Sequence, residues 1–300
     1  MTQLGVIFIQ YDQQRYADAF STLAEVIRSF ELSSVFTVIV DNLHEEQKLQ
    51  LLEDCTAKIG GNNSLFEFSG WMKGWETLKE LQGDCDCYLF VTDAFLAYGD
   101  QYQKLADSKL LHFLSRESAV AGLVDLPPSN FKNLQLLNWD MKCWVRSSFF
   151  FVPHSVMTQM KSLITITEID PFCDKAFQSR AFKPEAPLSP DYQNYLEQWL
   201  TRDWHSALTL SHSKWEHFRH KIRSILNEHA LTARWQAMGI PIYDLYFLKQ
   251  ISQDEGSPLL NLSPQTADHF RFDLIDQKDY CKPSFPERII HKFKRLFSKT

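Results

Sequence analysis

The chain has 300 residues, of which 44% are hydrophobic and 14% aromatic, and its formal net charge is −6. This is enough apolar material for one α/β domain with additions or for two small domains. The negative charge argues against general nucleic-acid binding, which depends on a surplus of Lys and Arg facing phosphates.

Cysteine usage and hydropathy predict where the protein works. The six cysteines include no CxxC pair, and Cys85-x-Cys87 without a second pair is a poor zinc pattern. Reduced, mostly buried thiols are therefore expected. The N-terminus has no basic region followed by a long apolar stretch, and no window approaches the ~20 apolar residues that span a bilayer. These features predict a cytoplasmic protein.

The start of the chain predicts a β-α-β unit. Apolar runs at residues 6–9 and 35–40 are typical of strands, and apolar residues recur at helical spacing between them. Such units are nearly always right-handed crossovers that join parallel strands, so both strands end at the same edge of the sheet. Tyr11 and Asp12 follow the first strand, and Asp41 and Asn42 follow the second.

The alternation continues up to a strand that ends at Asp93. A polar helix around residues 49–52, a strand at 65–68 and a helix from Gly70 lead into an almost continuous apolar run at 87–92. Such a run is typical of a strand buried on both faces of a parallel sheet. Ligands of open α/β sheets bind outside the carboxyl ends of strands, so Asp93 either faces a ligand or caps the next turn.

The second half of the chain predicts the rest of the fold. Strands are expected at residues 119–125 and 143–152, the second followed by a helix at 155–163. Prolines interrupt residues 165–212, which we interpret as an insertion on the sheet that contains one helix. Two helices follow. Their apolar faces are out of register, and Asn is a preferred N-cap, so a break is predicted at residues 227–228.

Together these elements predict an α/β fold with a doubly wound, mostly parallel sheet and helices on both faces. Residues 246–300 form a C-terminal extension with a basic amphipathic helix at 286–299. That helix has an apolar side and a cationic side. It is expected either to lie on a membrane surface, which would make the protein peripheral on the inner face of the membrane, or to dock on the domain with its basic face in solvent.

Six short elements stand at the predicted strand ends and helix starts. In chain order they are Tyr11-Asp12, Val40-Asp41-Asn42, residues 63–71, Thr92-Asp93, Arg146-Ser147-Ser148-Phe149 and Asn227-Glu228-x-x-Leu231-x-x-Arg234. This succession resembles the GT-A fold glycosyltransferases, in particular bacterial enzymes of polysaccharide and lipopolysaccharide assembly. The resemblance covers residues 4–245 and implies one GT-A-like domain over residues 1–245.

The resemblance implies transfer of a sugar from a nucleotide-sugar donor to a glycan or lipid-linked acceptor. Asp41 would contact the nucleotide base, and Glu228 would take the proton of the acceptor hydroxyl in an inverting transfer. Asp93 would hold a divalent metal, Mn²⁺ or Mg²⁺, that bridges the donor diphosphate. The remaining residues expected to line the donor site are Tyr11, Asp12, Asn42, Glu67, Gly70, Trp71, Lys73, Thr92, Arg146 and Arg234.

The sequence departs from the family pattern at the metal. Of the Asp-x-Asp element only the last carboxylate, Asp93, is present, so Lys73, Arg146 and Arg234 are the alternative partners of the diphosphate. The missing carboxylate also supports a competing function, a catalytically inactive GT-A-like scaffold in a polysaccharide synthesis complex. A nucleotidyltransferase is less well supported, because no Gly-rich phosphate loop follows the first strand.

Structural roles compete with two of the site assignments. Glu228 could instead complement a helix dipole in a first turn, and Trp71 could be helix core instead of stacking on a base or sugar. Gly70 is expected to let the backbone approach a ligand closely. The absence of GxGxxG, P-loop and GxSxG motifs removes the usual reasons to expect dinucleotides, ATP or a serine hydrolase.

Overall fold

The computed structural model describes residues 2–32, 34–98, 108–127, 131, 133–177, 179–203, 209–245 and 248. The strands are β1 Gln3–Gln10, β2 Ser34–Asp41, β3 Gln50–Leu51, β4 Thr56–Gly60, β5 Ser64–Phe66, β6 Cys87–Thr92, β7 Val120–Asp125, β8 Gln135–Leu136, β9 Trp139–Asp140, β10 Trp144–Pro153 and β11 Ile242–Asp244. The α-helices are α1 Ala19–Arg28, α2 Glu67–Gln82, α3 Ser108–Glu117, α4 His154–Met160, α5 Pro190–Gln198 and α6 Trp215–Ala237. A 3₁₀ turn at Asp93–Tyr98 follows β6.

Eight of the strands form one sheet in the order β11-β7-β10-β6-β1-β2-β4-β3. Strand β1 runs parallel to both of its neighbours, β2 and β6, and the pairs β2–β4 and β7–β11 are also parallel. Strand β10 is antiparallel to β6 and β7, and β3 is antiparallel to β4. The predicted α/β fold with a mostly parallel sheet is confirmed.

Helices cover both faces of the sheet, as predicted. Alternate residues of β1 point to opposite faces, so Val6 and Phe8 enter one core while Ile7 and Ile9 enter the other. Helices α1 and α3 pack on the first face, and α2, α4 and the second half of α6 pack on the second. Both faces of the central strands are thereby removed from water.

The proline-rich insertion builds a third apolar cluster on the first half of α6. Tyr192, Tyr195 and Leu196 of α5 share this cluster with Phe218 and Ile222 of α6. Ser189 caps α5 by accepting a hydrogen bond from the backbone N–H of Tyr192. The helix predicted inside the insertion is confirmed as α5, and it packs directly on α6.

The predicted break at residues 227–228 is wrong, because α6 is one continuous helix. Asn227 is not an N-cap: its buried side chain accepts hydrogen bonds from the backbone N–H groups of Thr165 and Ile166. The apolar face changes phase because the first half of the helix faces the insertion, where Phe218 lies, and the second half faces the sheet, where Trp235 lies. The change of packing partner along α6 therefore produced the same sequence pattern as the end of a helix.

The region between β2 and α2 also differs from the prediction. Residues 49–52 form no helix, since Gln50–Leu51 is the edge strand β3. The strand beside β2 is β4, which was not predicted. The strand expected at residues 65–68 is reduced to Ser64–Phe66 outside the main sheet, and α2 begins at Glu67. These short segments lie at the edge of the main sheet, beside the edge strand or outside the sheet, so they lack the apolar run of a central strand.

Several expectations about the ends and the cysteines can be compared with the structure. Residues 286–299, and with them the predicted basic helix, lie outside the described residues, as does all of the extension 246–300 except Leu248. None of the helices in the described ranges combines the length and apolar character needed to cross a membrane. The five described cysteines are free thiols, and all except Cys55 are buried.

Candidate functional site

The carboxyl ends of three adjacent strands bring the predicted site residues to one edge of the sheet. Gln10 of β1 pairs with Asp41 of β2, and Ile9 pairs with Thr92 of β6, so the residues that follow each strand are neighbours. Strand β10 runs the opposite way and pairs Phe149 with Val91 of β6. The start of β10 therefore lies at the same edge, which we call the carboxyl edge.

Asp93 supports the turn after β1. Its Oδ2 accepts hydrogen bonds from the backbone N–H groups of Tyr11 at 2.7 Å and Asp12 at 2.6 Å, and the residue is only 4% exposed. Burial raises the pKa of Asp93, and the amide hydrogen bonds from Asp12, Tyr11 and Ala94 oppose that rise without cancelling it. Asp93 is therefore at the predicted edge but is already engaged in holding it together.

The same geometry bears on the predicted metal. Within the ranges that the structure describes, no three His, Cys, Asp or Glu side chains form a group able to hold a metal ion. Asp93 has one oxygen occupied by two amides, so it fits Mg²⁺ or Mn²⁺ only as a single protein ligand. Magnesium sites of that kind take most of their ligands from substrate phosphates and water. The described residues thus provide no complete metal centre of their own.

Asp41 lies in a polar network at the end of β2. Its Oδ1 is 2.8 Å from Nδ1 of His44, and its Oδ2 is 3.2 Å from Nζ of Lys58 and 3.3 Å from Nε2 of Gln13. Burial alone would raise the pKa of Asp41, but the hydrogen bonds and charges of His44 and Lys58 outweigh it and the pKa is lowered. The carboxylate stays ionised, and Lys58 adds a cation that was not predicted.

Asn42 and Gly70 hold α2 against the sheet. The amide nitrogen of Asn42 donates to Oδ1 of Asn63 and to the carbonyl of Phe66, and the residue is buried. A Cβ added to Gly70 would lie 2.8 Å from Cδ1 of Ile9 and 3.1 Å from Oδ1 of Asn42. Gly70 therefore permits close helix packing, and the predicted close approach to a ligand is corrected. Asn42 likewise has a structural role.

Trp71 belongs to the core and is not placed to stack on a base or sugar. It is completely buried, and its ring meets Phe68, Phe90 and Phe150 edge-on. Its indole Nε1 donates to the carbonyl of Val91 at 3.4 Å. The exposed aromatic residue at the carboxyl edge is instead Tyr11, at 43%.

One of the predicted cations, Arg234, is not brought to the carboxyl edge. The guanidinium of Arg234 donates to the carbonyls of Met160, Ser162 and Ile164, so it fastens the segment after α4. Burial lowers the pKa of Arg234. Lys73 is half-buried on α2, and its place in the donor site stays a prediction. Arg234 is therefore removed from the donor site as a correction.

Arg146 does lie at the carboxyl edge, but it is paired. Its Nε and terminal nitrogen contact the two carboxylate oxygens of Asp125, at the end of β7, at 2.7 and 2.9 Å. Both side chains are partly exposed. This two-point geometry suits a carboxylate and equally suits a phosphate. The pair with Asp125 uses two of the five N–H donors of Arg146, so a diphosphate would either compete with Asp125 or bind the remaining donors.

Two glutamates from distant helices converge on one serine of β10. The backbone N–H of Ser147 donates to Oε2 of Glu228 at 2.7 Å, and its hydroxyl donates to Oε1 of Glu67 at 3.0 Å. The hydroxyl of Ser224 also donates to Oε1 of Glu67, at 3.2 Å. The pairing of β10 with β7 is interrupted between Val145 and Phe150, so the bulge leaves the Ser147 amide free for Glu228.

Electrostatics distinguish Glu228 from the other carboxylates at the edge. Burial raises the pKa of Glu228 to about 7; hydrogen bonds from Ser147 and the charge of Lys221 oppose this, and the charge of Glu67 adds to it. The side chain is nevertheless 20% exposed. A carboxyl group in this setting gives up or accepts a proton near neutral pH and is open to a ligand.

The sequence predicted both glutamates but not what joins them. Ser147 was recognised only as part of a motif, and Ser224 and His229 were not considered. His229 is buried beside Glu228, and its ring is stacked on that of Trp144 with the ring centroids 4.1 Å apart. Ser224 and Glu228 are four residues apart and therefore lie on one face of α6, which was a usable signal but identified no partner. Comparison with known protein families, with curated proteins and with solved structures finds no match for this chain.

Proposed function

We propose that the protein is a glycosyltransferase with a GT-A-like fold, which transfers a sugar from a nucleotide-sugar to a hydroxyl group of a glycan or lipid-linked acceptor in bacterial surface polysaccharide synthesis. The observation that carries the proposal is the placement of Glu228. It is a partly exposed carboxylate at the carboxyl edge, beside Glu67, with a pKa of about 7. Ligands of open α/β sheets bind at this edge.

In this proposal Glu228 is the general base of an inverting transfer. Its carboxylate takes the proton of the acceptor hydroxyl while the acceptor oxygen forms a bond to the anomeric carbon. The bond from that carbon to the diphosphate breaks, and its electron pair leaves with the nucleoside diphosphate. The negative charge of Glu67 raises the proton affinity of Glu228, which suits a group that must gain a proton near neutral pH.

The donor end of the site would lie at β1 and β2. Tyr11 offers an exposed ring for stacking on a base, and Asp41 an ionised carboxylate for hydrogen bonds to it. Lys58 and Arg146 are the cations at the edge that could meet the diphosphate. The location in this proposal is the cytoplasm, with residues 286–299 as a peripheral membrane contact.

The test combines donor binding with donor hydrolysis. UDP, GDP, dTDP and CMP, with their common sugar conjugates, are added to the wild type with and without Mn²⁺, and the melting temperature and release of free sugar are followed. Glu228→Gln keeps an acceptor for the Ser147 amide but cannot take a proton, so hydrolysis should fall by about 10²–10⁴-fold while donor binding persists. Glu76→Gln, an exposed glutamate on α2, is the matched control.

The inactive scaffold remains the second candidate, on a specific observation. Oδ2 of Asp93 and both carboxylate oxygens of Asp41 are already bonded within the protein. If no nucleotide raises the melting temperature of the folded wild type and no sugar is released, the glycosyltransferase proposal fails and the scaffold becomes the better description. Hydrolysis that survives unchanged in Glu228→Gln would remove the assigned base.

A further inference from the structure

The insertion reaches the candidate site through one hydrogen-bonded pair. The hydroxyl of Tyr192, on α5, is hydrogen-bonded to Nδ1 of His229, on α6. Both residues are buried. The imidazole ring is further fixed by stacking on Trp144 at 4.1 Å, and its other nitrogen, Nε2, lies 3.9 Å from Oε1 of Glu228. A residue of the insertion is thus one side chain away from the carboxylate.

The direction of the Tyr192 hydrogen bond decides which nitrogen of His229 carries hydrogen. A buried tyrosine hydroxyl needs an acceptor, and Nδ1 of a neutral imidazole provides one. Burial lowers the pKa of His229 to about 3 and raises that of Tyr192 well above its ordinary value, so both groups are neutral at pH 7. With Nδ1 accepting, the hydrogen of the ring is on Nε2, which faces Glu228.

We propose that Tyr192 and His229 form a positioning pair for Glu228, in which the Tyr192 hydroxyl holds the His229 ring in the tautomer that presents Nε2–H to the Glu228 carboxylate. Its consequence for catalysis rests on the proposed function. Oε2 of Glu228 accepts a hydrogen bond from the Ser147 amide, and Oε1 lies 3.9 Å from Nε2 of His229, so the imidazole would act on the carboxylate through the dipole of its Nε2–H group and not through a direct hydrogen bond. The insertion would then help to build the site and not merely cover the sheet.

Other charged groups near this pair also affect the titration of Glu228 and His229. Glu67 on α2 and Lys221 on α6 act on Glu228 in opposite senses. Asp125 at the end of β7 acts on His229 and is itself paired with Arg146. These groups are the same in the variants below, so the difference between a variant and the wild type reports the positioning pair.

The experiment measures the titration of Glu228 itself. In full-length protein labelled with ¹³C-carboxyl glutamate, the Glu228 signal is assigned by its loss in Glu228→Gln. Tyr192→Phe removes the hydroxyl that fixes the tautomer, so Nε2 can face Glu228 as an acceptor and the midpoint should rise by about 0.5–1 pH unit. His229→Leu removes the Nε2–H donor and should raise the midpoint of the Glu228 titration by a similar amount. His229→Gln returns an N–H near the position of Nε2 and should restore part of the wild-type value.

The matched control is a second buried tyrosine beside a histidine. The hydroxyl of Tyr88 lies 3.4 Å from Nδ1 of His154, at the amino end of β6 and away from Glu228. Tyr88→Phe should leave the Glu228 midpoint unchanged. A Glu228 midpoint that also stays unchanged in folded Tyr192→Phe and His229→Leu would overturn the positioning pair.

The readout separates this inference from the proposed function. If the midpoint moves in Tyr192→Phe but the wild type neither binds nor hydrolyses a donor, the positioning pair stands and the glycosyltransferase proposal fails. If the wild type hydrolyses a donor, the acid limb of its pH profile should move upward with the Glu228 midpoint in Tyr192→Phe. Hydrolysis with an unmoved limb and an unmoved midpoint would leave the function intact and refute the pair.

Discussion

The carboxylate of Asp93 accepts a hydrogen bond from the backbone N–H of Tyr11 across 2.7 Å, which fastens the turn after one strand to the end of its neighbour. A second amide, that of Asp12, donates to the same oxygen. A charged acceptor shared by two amides in a buried place makes a stronger contribution than an ordinary surface contact. Asp93 is therefore a structural residue of the site before any role with a ligand is considered.

Asp93→Ala should reduce the free energy of unfolding by about 2–4 kcal/mol, because two buried amides lose a charged acceptor. Urea denaturation followed by circular dichroism measures this change. Asp12→Ala is the control, since the Asp12 carboxylate accepts from the Arg15 amide in an exposed turn, and its cost should stay below about 1 kcal/mol. Equal losses in the two variants would contradict the structural role of Asp93.

Substitutions of Trp71 and Tyr11 should affect two different quantities, the stability of the fold and the affinity for a nucleotide. Trp71→Phe shrinks a fully buried side chain and removes its bond to Val91, so it should cost about 1–3 kcal/mol of stability and leave nucleotide affinity unchanged. Tyr11→Ala alters an exposed ring, so it should barely change stability but weaken nucleotide binding by about 10-fold. Denaturation and isothermal calorimetry give the two quantities. A binding loss in Trp71→Phe would restore the stacking role that its burial excludes.

The close packing of α2 on the sheet predicts the effect of adding one methyl group. A Cβ on Gly74 would lie 2.5 Å from Cγ2 of Ile7 and 2.9 Å from Cγ2 of Val40. Gly74→Ala should therefore destabilise the protein by about 1–3 kcal/mol, although alanine favours helices over glycine. Glu76→Ala, at an exposed position of the same helix, should change stability by less than about 0.5 kcal/mol. A stabilised Gly74→Ala would show that α2 can move away from the sheet.

The central strands could be predicted because their residues are apolar on both faces. Residues 6–9 and 87–92 are nearly continuous apolar runs, as expected of strands whose two faces are both covered by helices, as those of β1 and β6 are. Strand β4 was missed because it is short and carries Lys58, which points into the Asp41 network. Strand β4 lies next to the edge strand β3, and strands near the edge of a sheet carry fewer apolar residues, so their signal in the sequence is weaker.

The candidate site was predicted in its parts but not in its connections. Asp93 was identified from its place at a strand end, and Asp41 and Glu228 were assigned through the resemblance to the GT-A fold glycosyltransferases. The link between Glu228 and Glu67 depends on a bulge in β10 that turns the Ser147 amide toward α6, and no local pattern signals a bulge of this kind. Arg234 was placed in the site by the resemblance, although six residues along an α-helix turn its side chain about 120° away from that of Glu228.

The pH dependence of stability gives a test of Glu228 that needs no substrate. Its pKa in the folded protein is about 7, above the ordinary value of 4.5, so the folded state binds this proton more tightly than the unfolded state does. The stability that comes from the bound proton is complete below pH 4.5 and is lost as the pH rises through 7. Glutamine keeps the acceptor for Ser147 and never ionises, so Glu228→Gln should not suffer this loss.

The stability of Glu228→Gln relative to the wild type should therefore increase between pH 4.5 and 8 by roughly 1–3 kcal/mol. Urea midpoints at several pH values measure it. His229, whose pKa is lowered to about 3, destabilises both proteins as the pH falls, so its contribution cancels in the difference. Glu76→Gln should follow the wild type throughout. A difference between Glu228→Gln and the wild type that does not change with pH would mean that the pKa of Glu228 in the folded protein is not raised above its ordinary value of 4.5, and Glu228 would then be too weak a base for the proposed step.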